Sequence, residues 1–464
     1  MDKNSDQKYS LNERFTYVFI PFRVNKNTVS EFGSDLTSQG NENVWECADY
    51  HPDYMFRFVT NKIDGCDGTK RCFHYVLRKD DRKIFQKKII AFPDSPRTAS
   101  ESRWGRYELY IANMEIFCFS TGVGLLIIKV FIDNEDSRYL INATYHLKFA
   151  AKTLYCFEDA EKEKFTLLEL GKSMISHIDE NHQPQFFYYL NPIDDKANTN
   201  TNTTAFILNY ICKPRSGKYE YELLHLSNAV SDDFLLVQDK NNDIFQISED
   251  VLWQVTDQAA VCIGISQEKE SFIKRVLPKN ISKSYLFMFT YLLHQKYMLY
   301  HLLMQIDTDI NNDLKRLEEY QEELVSFKQF FVFSRISDTP QYQKLYEKCA
   351  EAFSLSEMYD DVEEPLAMLE TVLQKKETQF REQEEARQEK RNRTMDLLLA
   401  ALGFLGVWSA FVDAGQFGDL INEMLHSSDI KSLFFSHIPH LLFYVLILLL
   451  VIFIPIRYFM NRKK

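Results

Sequence analysis

Three short stretches carry residue types and spacings from which chemistry could be built. "SHIDENH" places His177, Asp179, Glu180 and His182 within six residues, a set of donors that a divalent metal would accept, although the spacing fits no zinc motif. "LELGKSM" contains Gly171-Lys172-Ser173, the end of a phosphate-binding loop. The glycine required five residues earlier is replaced by Thr166, so the match is read as chance. "STGVGLL" (Ser120–Leu126) offers glycine-flanked amides to a phosphate, or simply a hairpin turn. No G-x-S-x-G, H-E-x-x-H or paired-carboxylate signature is present. The chain does not read as an enzyme, and no catalytic residue is assigned.

A fourth stretch, "MDLLLAALGFLGVWSAFVDAGQFGD" (residues 395–419), differs in kind. Helical steps of three and four align Asp396, Ala400, Gly403, Val407, Ala410 and Asp413. Small side chains on one face leave room for a pore between copies, and a carboxylate ring at each mouth would concentrate cations. The same small residues, as in Gly406-x-x-x-Ala410, equally suit helix-on-helix packing in a membrane. Both readings stay open at the level of sequence.

Such a stripe needs a helix in lipid to position it. Met395–Val412 is 18 residues long, about 27 Å at 1.5 Å per residue, just enough to cross a hydrocarbon core of ~30 Å. A stronger apolar run, "HLLFYVLILLLVIFIPIRYF" (His440–Phe459), has no charge before Arg457. Lys390, Arg391 and Arg393 flank the first run, and Arg457, Arg462, Lys463 and Lys464 follow the second. Between them, residues 413–437 carry Lys431 against Asp413, Asp419, Glu423 and Asp429. The positive-inside rule then predicts two spans (TM2 at 438–460), an acidic external loop at 413–437, a basic tail at 461–464 and both termini in the cytoplasm. The segment Ser284–Ile306 is also apolar, but His294, Gln295 and Lys296 at its centre argue for a buried helix of the soluble part.

Ahead of these runs the chain reads as ordinary globular protein. Residues 1–280 form a strand-rich α/β domain, with "YVFIPFRV", "YMFRFVTNKI", "CFHYVLR" and "MEIFCFSTGVGLLIIKVFI" as strand-like runs. Helical periodicity appears in "FEDAEKEKFTLLELGKSMISHI", and "DDKANTNTNTTAF" reads as a polar surface loop. Residues 281–364 are helical, with "NNDLKRLEEYQEELVSFKQFF" and "YQKLYEKCAEAF" as two of the helices. From Pro365 the pattern predicts one stalk helix running into the first span, residues 365–412, about 72 Å long. Its lower part has an apolar stripe (Leu366, Leu369, Val372, Leu373, Phe380). Residues 381–394 have only Ala386, so pairs such as Glu377–Arg381 and Glu389–Arg393 must support them.

Composition narrows the partners. A net charge of −12 argues against direct nucleic-acid binding, which needs concentrated Lys and Arg. The eight cysteines (Cys47, Cys66, Cys72, Cys118, Cys156, Cys212, Cys262, Cys349) include no C-x-x-C pair and suit free thiols in a reducing compartment. The N-terminal "MDKNSDQKYSLNERF" has no apolar signal core.

The order of strand-rich domain, helices, long stalk helix, first span, acidic loop, second span and basic "RYFMNRKK" resembles the CorA-like family of divalent-cation channels. The resemblance implies a funnel-shaped homo-pentamer with the first span lining the pore, multi-pass in a bacterial inner (cytoplasmic) membrane. The family's Gly-Met-Asn signature, expected just after the first span, is missing: the equivalent place reads Gly415-Gln416-Phe417 within "DAGQFGD". In that departure the chain resembles the CorA-like membrane effectors of type III CRISPR systems. For those, the resemblance implies gating by a nucleotide second messenger, a conjugate of S-adenosylmethionine and AMP. The leading expectation is thus a signal-gated oligomeric channel of antiviral defence. The alternatives are a divalent (Mg2+-type) cation transporter and a non-conducting membrane-tethered scaffold.

Overall fold

In a computed structural model the described residues are 13–38, 44–64, 70–78, 88–92, 106–160, 162–189, 204–215, 219–234, 244–266, 271–309 and 314–424. The second apolar run, the basic tail, Asp429 and most of the polar segment 194–206 lie outside them. The chain divides into two compact units, Met1–Glu370 and Thr371–Lys464.

The first unit is a mixed α/β domain. In chain order it comprises β1 (Arg14–Arg23), α1 (Val29–Thr37), β2 (Trp45–Ala48), α2 (Arg57–Asp64), β3 (Cys72–Leu77), β4 (Lys88–Phe92), β5 (Tyr107–Phe119) and β6 (Val123–Ile132). There follow α3 (Ser137–Lys148), β7 (Leu154–Phe157), α4 (Leu167–Ser173), β8 (Gln185–Phe186), β9 (Phe206–Lys213), α5 (Glu220–Asn228), β10 (Phe245–Ser248), β11 (Val251–Val255) and β12 (Ala259–Ile265). Short helical turns and a π-helical turn, Ile281–Tyr285, lead into α6 (Leu286–Asp309), α7 (Leu314–Phe331), α8 (Pro340–Ala352) and α9 (Leu355–Met424).

All twelve strands join one sheet, ordered β10-β11-β12-β9-β1-β6-β5-β3-β2, with β4 on β5 and β7, and β8 on β1. Only the β9–β12 pair is parallel among the described pairings, and the connection between them carries α5. The sheet is covered on both faces. Val18, Ile20 and Phe22 of β1 join Val29, Phe32, Ile141, Leu147, Leu223 and Leu226 from α1, α3 and α5 in one core. The alternate residues point the other way: Phe19 meets Phe206, which meets Phe289 of α6, and Trp253 lies against Tyr285 and Phe289. Burial on two faces is why β1 reads as a near-continuous apolar run instead of alternating.

The apolar segment 284–306 is this second cover, buried against the sheet as its central polar residues suggested. Each of those residues has a partner: His294 Nε2 is 2.9 Å from Thr121 Oγ1, Lys296 Nζ donates to the Asp257 carbonyl at 2.9 Å, and Gln295 Oε1 accepts from Tyr359.

Four local expectations are corrected. "YMFRFVTNKI" holds a helix, α2, whose Val59 and Ile63, four residues apart, are its buried face. "FEDAEKEKFTLLELGKSMISHI" is not one helix. Phe157 ends β7, Phe165 bridges to Tyr155, and the helix starts only after Thr166, where Thr166 and Glu169 form a reciprocal capping box. The long helix begins at Leu355, ten residues before Pro365, held by buried Leu355, Met358, Val362 and Leu366. It also continues to Met424, so residues 413–424, assigned from sequence to the external loop, are helical here; nothing between them breaks a helix as a proline would.

Candidate functional site

The stretch that most resembled a site lies on α9. Asp396, Ala400, Gly403, Val407, Ala410, Asp413, Gly415, Gln416, Phe417, Asp419 and Glu423 all belong to this one helix. Around Gly403, Gly406 and Gly415 an added Cβ would meet nothing within 4 Å among the described residues. Residues 381–394 are exposed throughout, and Arg393 pairs with Glu389 at 2.7 Å, the i, i+4 support expected for a polar helix. Above them the apolar side chains are equally uncovered: Leu397 is 72% exposed, Phe404 69% and Trp408 60%. The segment Gln374–Ala410 is long and apolar enough to cross a membrane, and no part of its apolar window is buried.

The other motifs resolve into structural roles. Gly171-Lys172-Ser173 ends α4 instead of opening it, so its amides do not face a phosphate at a helix N-terminus. A Cβ on Gly171 would stand 2.4 Å from Leu126 Cδ2, which gives the glycine a packing reason. "STGVGLL" is the β5–β6 hairpin: Gly122 takes φ +84°, and its own nitrogen donates to Phe119 O. In "SHIDENH", Asp179 caps the turn at Asn181 and His182 Nδ1 lies 2.7 Å from Asp35 Oδ2. Among the described residues no group of three or more His, Cys, Asp or Glu is placed to hold a metal.

The structure also assembles a polar row that sequence reading missed. It crosses β3, β5, β6 and β1 on the face covered by the π-helical turn. His74 Nε2 is 2.9 Å from Glu115 Oε2, and Asn113 Nδ2 donates to Glu115 Oε1 at 2.7 Å. Lys129, register partner of both Asn113 and Tyr17, donates to Ser282 Oγ at 2.9 Å. Its ammonium sits 4.2 Å from the Phe15 ring centre and 5.3 Å from that of Tyr17. Burial pushes the Lys129 pKa down to about 8, with the Glu115 carboxylate opposing the shift. A register shift in β5 between Ile111 and Asn113 sets Asn113 on this face. β1 and β3 lie far in the chain from the β5–β6 hairpin, so only an alignment of register reveals the row. The chain matches no family model, no curated protein and no solved structure.

Proposed function

We propose that this chain is an oligomeric membrane channel of the CorA-like kind, whose mixed α/β domain lies in the cytosol and senses a small-molecule signal. The observation that carries this reading is the exposure along α9. A water-exposed patch of Leu397, Leu398, Leu399, Leu402, Phe404, Leu405 and Trp408 is far beyond what a soluble surface tolerates, and no described residue covers it. A bilayer supplies the missing cover. Just below it, the uncovered polar stretch 381–394 suits several copies surrounding a wet axis. The second apolar run and the Lys/Arg asymmetry support the two-span topology.

In this reading the face with Asp396, Ala400, Gly403, Val407, Ala410 and Asp413 lines the conduit, and the acids of 413–429 draw cations toward it. The absence of Met-Asn after Gly415 favours a signal-gated effector, of the type III CRISPR class, over a magnesium transporter. The activator in that class is a nucleotide second messenger, the S-adenosylmethionine–AMP conjugate. The test is ion flux through purified protein in liposomes, with and without nucleotide second messengers. Ligand-dependent flux is the expected result; a bilayer-inserted protein that passes no ion under any of them rejects the channel in favour of a scaffold.

A further inference from the structure

One edge of the sheet gathers three cations that have no acidic partner among the described residues. β1 ends there at Arg23, while β9 and β12 begin there at Phe206 and Ala259. Lys148, the last residue of α3, donates to Gln258 Oε1, and Lys296, in the middle of α6, donates to the Asp257 carbonyl. The two lysines thus reach the same β11–β12 turn from opposite faces of the sheet. Each is 7% exposed, and each donates to a neutral oxygen. Further along α6, His301 contacts Arg23, whose guanidinium lies 5.2 Å from the Tyr188 ring centre. Tyr189 and Tyr297 stack on each other, their ring centres 5.4 Å apart. Among the described residues no carboxylate lies within 4.0 Å of Arg23, Lys148 or Lys296.

Lysines buried to this degree are ordinarily ion-paired, because an uncompensated ammonium loses its hydration for nothing. Burial pushes the pKa of both lysines down, and the one nearby acid, Asp257, which is itself exposed, only partly offsets it. The C-terminal end of α3 gives Lys148 a partial negative charge to face. Lys296, mid-helix, has no such field; its ammonium faces the Phe353 and Tyr300 ring centres at 5.2 and 5.9 Å. Among the described residues the charge left over is positive, and it is carried on β1, α3 and α6.

We propose that this edge, with Lys148, Lys296 and Arg23 as its charged contacts, binds a small anion whose phosphate or carboxylate group supplies the missing counter-charge. The half-buried rings of Tyr188 and Tyr300 flank it and give a ligand's organic part a surface to lie on. The site stands whether or not the chain conducts ions, so the two proposals fail separately.

The test is thermal unfolding and calorimetric titration of the full-length protein in detergent with inorganic phosphate, AMP and citrate, against sodium chloride at matched ionic strength. Stabilisation by phosphate and AMP identifies a phosphoryl group, and stabilisation by citrate alone a carboxylate; either supports the site. Lys296→Met and Lys148→Met should each weaken binding roughly tenfold or more, since a charge-assisted hydrogen bond is lost. Without ligand the same variants should melt no lower than the wild type, because removing an unpaired buried charge relieves its desolvation. No stabilisation at about 10 mM of any of the three anions, an equal effect of chloride, or undiminished binding in the double variant overturns the proposal. So does a sharp loss of stability in both variants without ligand, which would make the lysines structural ties to the turn.

Discussion

His294 stacks on Phe119 at 3.8 Å between ring centres while its Nε2 meets Thr121 Oγ1 at 2.9 Å, so an ionisable ring is sealed between α6 and the β5–β6 hairpin. Its other nitrogen, Nδ1, is buried with no hydrogen-bond partner among the described residues. The ring can hold its place only while neutral, and burial drives its pKa well below the ordinary histidine value of 6.5.

The sign of the pH effect follows. The unfolded chain takes up a proton at this residue below about pH 6.5, and the folded chain does not, so the stability due to neutral His294 is full above that pH and is lost as pH falls below it. His294→Gln keeps a polar group near Thr121 and removes the titration. Its melting temperature should fall less between pH 7.5 and pH 5 than that of the wild type. Parallel curves for the two proteins would mean that His294 is protonated in the fold.

Trp253 tests the packing of α6 on the sheet. It is fully buried against Tyr285 and Phe289, and its Nε1 has no hydrogen-bond partner among the described residues. Trp253→Ala should cost about 3–5 kcal/mol through the cavity it leaves. Trp253→Phe should cost much less, because part of the lost contact is offset by removing an unsatisfied N–H. Chemical denaturation of the two variants side by side decides it; equal losses would point to a partner for the indole.

Thr166 and Lys172 separate a cap from a phosphate loop. Thr166→Ala breaks the capping box with Glu169 and should destabilise by about 1 kcal/mol. Lys172 is exposed, and Lys172→Ala should change stability by no more than about 0.5 kcal/mol and leave nucleotide-dependent behaviour untouched. A selective loss of nucleotide response in Lys172→Ala would restore the loop reading.

These contrasts show which parts of the architecture were readable from residue order. The β5–β6 hairpin was legible because Gly122 and two long runs of Val, Ile, Leu and Phe announce it locally. The nature of α6 was legible because His294, Gln295 and Lys296 interrupt an otherwise apolar helix. The α2 segment was misread because Phe, Tyr, Val and Ile favour strands on average, whereas the spacing of Val59 and Ile63 decides its burial. The start of α9 was placed at Pro365 because proline favours a first turn, while the packing of Leu355, Met358 and Val362 extends the helix backwards past it. The cations at the sheet edge were invisible. Arg23, Lys148 and Lys296 sit in three unrelated stretches, and only the strand order brings them to one place.

Topology is open to direct labelling. In a cysteine-free background, Ser428→Cys should react with an impermeant thiol reagent on intact cells, and Lys463→Cys should react only after lysis. Labelling in the reverse pattern removes the two-span arrangement with both termini inside.

Gly403 separates a conduit from a packing face. Among the described residues nothing stands within 4 Å of a Cβ placed there. Gly403→Leu leaves helix formation and lipid compatibility intact or improved. If Gly403 lines a pore, every subunit narrows it at once, and ligand-triggered flux should be abolished while the oligomer elutes unchanged on size exclusion. If Gly403 instead lets helices approach closely, the larger side chain should force them apart, and the oligomer itself should dissociate. An unchanged oligomer with undiminished flux would place this residue against lipid, and the face with Asp396, Ala400, Val407 and Ala410 would then line nothing.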